Sequence, residues 1–112
     1  MNPALAYLIL TVAAVLEAGG DAIVRKGLHT PATPARFGIF ALGALVLFAY
    51  GLTVNSPPWD FGKLLGIYVT LFFIIAQIIN AVFFGSRPDL AIIVGGAFIA
   101  TGGLIITFWR VN

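Results

Sequence analysis

Glu17, Asp21 and Arg25 stand four residues apart inside an apolar stretch at the start of the chain. On a helix that spacing puts all three on one face. Leu10, Ala13 and Ala14 continue the same face toward the N-terminus. An acid in an apolar helix is costly unless it faces protein or water. Glu17 is therefore a candidate proton or cation site, where one carboxylate serves both ligands in turn. A structural alternative stands beside it: Asp21 and Arg25 pair near the membrane surface, and Glu17 joins that network. Asp21 is a second candidate closer to the surface, and Arg25 reads as a boundary charge. Gly19 and Gly20 allow another backbone to come close.

Other chemistry finds little support. The chain has no cysteine and one histidine, His29, which stands alone in a loop. That excludes thiol chemistry and argues against a metal site. Ser56 and Ser86 have no histidine near them in the sequence, and no phosphate loop, zinc-protease motif or dinucleotide fingerprint occurs. The expectation is a protein that is not an enzyme and takes no cofactor. Six basic residues, with Arg25–Lys26 the only adjacent pair, are too scattered for a nucleic-acid surface.

Two further groups read as packing. Gly66, Thr70, Gln77 and Asn80 share roughly one face of a third apolar run, where amides join helices. Tyr68 lies nearly opposite. In the last run, Gly95 to Gly102 and Gly96 to Gly103 repeat at heptad spacing, and Gly96 and Ala100 form a small-xxx-small pair. Such smooth faces favour close helix contact, within or between subunits.

The elements that carry these residues must lie in lipid. Of 112 residues, 61% are hydrophobic and 9% charged, and the mean hydropathy is +1.08. About 20 apolar residues cross a bilayer, and four runs reach that order: about 4–24, 37–54, 64–84 and 90–109. They are too long for barrel strands and do not alternate. The reading is an all-α integral membrane four-helix bundle, a single transmembrane domain over 1–112. The first run lacks a basic leader and contains Glu17, so it is expected to be retained as a helix. Pro31, Pro34 and Pro57–Pro58 break the chain between spans. Asp89 or Ser86 is expected to cap the last helix. Trp59 and Trp109 sit at span ends, where indoles anchor in the interface. Arg25, Lys26, Arg36 and Arg87 fall on one side, and Lys63 and Arg110 on the other. That weak bias favours loops one and three in the cytoplasm.

Taken together, these residues resemble the small multidrug resistance transporter superfamily, including its YnfA-like relatives, over nearly the whole chain. The resemblance runs through Met1-Asn2-Pro3, Tyr7, Glu17 ten residues later, Phe83-Phe84-Gly85 with Arg87 and Asp89, and the Gly95–Gly102 heptad. It implies an antiparallel homodimer, or a heterodimer of paralogues, spanning the bacterial inner membrane. It implies exchange of protons for small organic or guanidinium-like cations. Glu17 then matches the shared membrane-embedded glutamate, Tyr7 the aromatic of the first helix, and Tyr68 a site-lining tryptophan. Gly95, Gly96, Ala100, Gly102 and Gly103 match the dimer-packing helix. Three features depart from the pattern: Tyr68–Phe72 contains no glycine, Asp21 is an added acid, and tyrosine replaces tryptophan. Two other functions stay open: movement of a polar or lipid-linked metabolite as a flippase-type subunit, and a non-transporting membrane scaffold.

Overall fold

The computed structural model describes residues Met1–Trp109, and Arg110 of the orientation count lies outside them. Four α-helices follow one another: α1 Pro3–Leu28, α2 Pro34–Val54, α3 Phe61–Phe84 and α4 Leu90–Phe108. All four are long and apolar enough to cross a membrane. At 1.5 Å per residue they span from about 28 Å for α4 to about 39 Å for α1. The all-α, membrane-spanning architecture read from composition is the one observed. The helices form two hairpin units, one within Met1–Pro57 and one within Pro58–Asn112.

Helix ends follow local chemistry. The Asn2 side chain accepts from Ala4 N at 2.8 Å, and Pro3 opens α1. α1 runs past the anticipated stop at 24 to include Arg25 and Lys26 in its last turn. Cations there suit the negative end of the helix dipole. Pro34 does not separate the spans; it begins α2, three residues ahead of the anticipated start. Proline fits the first turn, where its missing N–H costs nothing. Asp60 caps α3 through Lys63 N at 3.1 Å. Asp89, rather than Ser86, caps α4 through Ile92 N at 2.9 Å. Gly85 ends α3 at φ 66°, a left-handed conformation that favours glycine.

Small residues set the packing of the first pair. A Cβ on Gly27 would lie 2.6 Å from the Phe40 ring, one on Gly43 2.7 Å from Val24, and one on Gly20 2.7 Å from Leu47. The α1 residues Ala6, Leu10, Ala13, Ala14 and Ala18 are buried. In the second pair, Gly66 faces Ile106, Gly96 faces Phe73 and Gly103 faces Thr70. The Thr70 hydroxyl donates across to the Ile99 carbonyl at 3.2 Å. Leu64, Ile67 and Tyr68 are buried on α3. Large apolar side chains elsewhere point outward, among them Phe37, Phe48, Phe83 and Phe98. In water such surface would aggregate; in a bilayer it is solvated by acyl chains.

Candidate functional site

The register of the first pair decides what Glu17 meets. Antiparallel helices advance in opposite directions along the chain. The register that sets Gly27 on Phe40, Val24 on Gly43 and Gly20 on Leu47 therefore brings the next turn of α1 toward the C-terminal part of α2. Glu17 stands there on α1 and Tyr50 on α2. The Tyr50 side chain is hydrogen-bonded to Glu17, and Asp21 lies close enough to act on Tyr50 electrostatically. A phenol O–H can donate to a carboxylate, so the hydroxyl serves as donor here. Glu17 and Tyr50 are both half-buried, whereas Asp21 is exposed.

This cluster holds two carboxylates one turn apart and one hydroxyl that can hydrogen-bond to Glu17. It can attract a cation, and it can hold a proton on Glu17. Among the described residues, no three His, Asp or Glu groups come together as a metal site.

The other sequence-derived candidates are distributed as follows. Tyr7 is on α1 with its ring partly exposed, and its carbonyl accepts from the Thr11 hydroxyl at 2.9 Å. Ten residues separate it from Glu17, about 15 Å along the helix. Tyr68 belongs to the second pair, where it is buried with its ring 6.1 Å from that of Phe72. Gly96 and Gly103 are taken up inside that pair, against Phe73 and Thr70. Gly95 and Gly102 meet nothing within 4 Å of an added Cβ, so their face is open. Ala100 is half-buried, on the Gly96–Gly103 side of α4.

Tyr50 is the residue that the sequence reading missed. Its signal was available: it is the only tyrosine in an uncharged second span. Without the helix-pair register, nothing connected it to Glu17.

No protein-family model matches the chain, and no solved structure matches it. Three relatives do, each named a UPF0060 membrane protein. One from Mycobacterium marinum is 32% identical over 102 residues, 90% of each chain. One from Frankia casuarinae is 32% identical over 104 residues, 92% of each chain. One from Herpetosiphon aurantiacus is 26% identical over 106 residues, 93% of this chain and 94% of its own.

Proposed function

We propose, from the premise that the chain belongs to the UPF0060 membrane protein family, that it is a proton-coupled exporter of small organic or guanidinium-like cations. It works in the bacterial inner membrane as a dimer around a shared pair of Glu17 carboxylates. The observation that carries this reading is a half-buried carboxylate within a membrane-spanning helix, hydrogen-bonded to a hydroxyl of the neighbouring helix. Ionisable groups within spans mark ion and proton pathways.

Exchange follows from competition for one group. A cation entering from one side is stabilised by ionised Glu17, so the Glu17 proton leaves to that side. After the cation departs on the other side, the carboxylate takes a proton from there. Two such carboxylates facing one cavity titrate as a coupled unit. Asp21, one turn closer to the helix end and exposed, draws the cation toward Glu17. Two copies enclose a polar path more readily than one, and closed two-fold symmetry is the usual outcome. The open Gly95–Gly102 face of α4 supports a contact between copies there.

The test is substrate-induced proton release from detergent-solubilised protein at several pH values, using a panel of guanidinium and quaternary ammonium compounds. Glu17→Gln is expected to abolish release. Asp21→Asn is expected only to weaken affinity or shift its pH dependence. Full release from Glu17→Gln would sink the mechanism and move attention to Asp21.

A further inference from the structure

Four contacts fix how far α1 and α2 are offset along their axes. Gly27 meets Phe40, Val24 meets Gly43, Gly20 meets Leu47 and Glu17 meets Tyr50. Each step along α1 is matched by an equal step back along α2. Continued by one more turn, the register sets Ala13 level with Val54, the last residue of α2, and both are buried. α1 then runs ten residues further, to Pro3, past the end of α2, a distance of about 15 Å. At the other end α2 begins about 8 Å beyond Leu28. The midpoints of the two helices are therefore about 11 Å apart along the pair.

A hydrocarbon core of about 30 Å cannot be centred on both helices. Tilt recovers little of the offset: about 20° across axes about 9 Å apart shifts one end by about 3 Å. The basic residues decide between the two placements. Centring on α2 would hold Arg25 and Lys26 about 10–12 Å inside lipid. It would also push Leu5 and Leu8, 48% and 60% exposed, into water. Centring on α1 sets Arg25 and Lys26 at one surface and Arg36 just outside it. The end of α2 then lies about 8–11 Å below the opposite surface.

Asn55 and Ser56 follow that end, and both are exposed. The Asn55 amide donates to the Gly51 carbonyl and the Ser56 hydroxyl to the Leu52 carbonyl, each at 2.8 Å. Irregular backbone at membrane depth is stable only inside protein or along water. Two exposed polar residues at that depth fit water.

We propose that the chain re-enters the membrane at the end of α2, where Asn55 and Ser56 line a water-filled recess below the bilayer surface. Five residues separate Asn55 from Tyr50, so the recess ends about 8 Å along the helix from the level of Glu17. Resting on the reading of Glu17 as the exchange site, the recess is the route by which protons and small cations approach it from this side.

The chain has no cysteine, so single cysteines can be introduced and spin-labelled in phospholipid vesicles. Ser56→Cys probes the recess. Val12→Cys is its control, at about the same level on α1 and 46% exposed. Collisions with oxygen report lipid, and collisions with a water-soluble nickel chelate report water. Oxygen is expected to dominate at Val12 and nickel at Ser56. Nickel dominating at both sites would place the end of α2 at the ordinary surface. Oxygen dominating at both would leave no water beside it, and few collisions of either kind at Ser56 would mean that a second copy covers it. Each of these results would overturn the proposal. The route is read by attaching a cationic or a neutral thiol reagent to Ser56→Cys. The cationic one should weaken cation affinity, measured by proton release, roughly threefold more, from like-charge repulsion across about 10 Å of largely aqueous medium. Equal effects would remove the route. Absence of proton release from the unmodified protein would instead remove the reading of Glu17 and leave the recess standing.

Discussion

At the residue scale, the Glu17–Tyr50 hydrogen bond distinguishes an arranged site from an isolated acid. Hydrogen bonds to charged groups contribute about 1.5–3 kcal/mol, and in the proposed exchange the cation-bound state has Glu17 charged. Tyr50→Phe is therefore expected to weaken apparent cation affinity by about tenfold. The number of protons released per bound cation should not change, because Glu17 remains. Titration calorimetry in two buffers of different ionisation enthalpy separates these quantities. If affinity is unchanged, the hydroxyl is a packing feature and the site reduces to the carboxylates of α1. Asp21 fits a supporting role: it is exposed and lies one turn closer to the helix end than Glu17.

At the element scale, the glycines divide into those that are covered and those that are open. Gly43 lies against Val24, so a larger residue there must push α1 and α2 apart. Overpacking of this kind costs about 1–3 kcal/mol. Gly43→Leu is expected to lower the thermal stability of the purified protein and to disturb the register that joins Glu17 to Tyr50. Gly38→Leu, on the same helix with nothing near its added Cβ, should be close to neutral. Similar melting curves for the two variants would mean that the α1–α2 register does not depend on Gly43. In lipid there is little hydrophobic drive between helices, so close backbone approach and bonds such as Thr70 to Ile99 hold a pair together.

At the scale of the whole molecule, α4 carries two glycine rows on two faces. Gly96 and Gly103 serve the pairing with α3, and Gly95 and Gly102 are left for another surface. Gly95→Leu and Gly102→Leu are expected to reduce the dimer fraction in detergent, measured by crosslinking, while keeping monomer stability. Gly96→Leu should instead destabilise the chain itself, because its side chain would meet Phe73. Full dimerisation of both Gly95→Leu and Gly102→Leu would remove the α4 contact from the proposed assembly.

The number of spans and their helical nature were legible in the residues alone, and Glu17 stood out there as a candidate site. Lipid permits no unpaired backbone, so a long uncharged run has one solution, and a carboxylate within such a run stands out by its cost. Helix boundaries were less legible: Pro34 read as a breaker but begins α2, because proline's effect depends on which turn it occupies. The glycine heptads gave spacing but no direction. Gly95 with Gly102 and Gly96 with Gly103 are equivalent repeats until α3 covers one row and leaves the other open. Tyr50 was silent for the same reason. A helix face is periodic along one chain segment, whereas the partner across an interface is set by the register of two segments. That register comes from Gly20, Gly27 and Gly43 fitting Leu47, Phe40 and Val24, a fit of shapes in three dimensions that no linear pattern records.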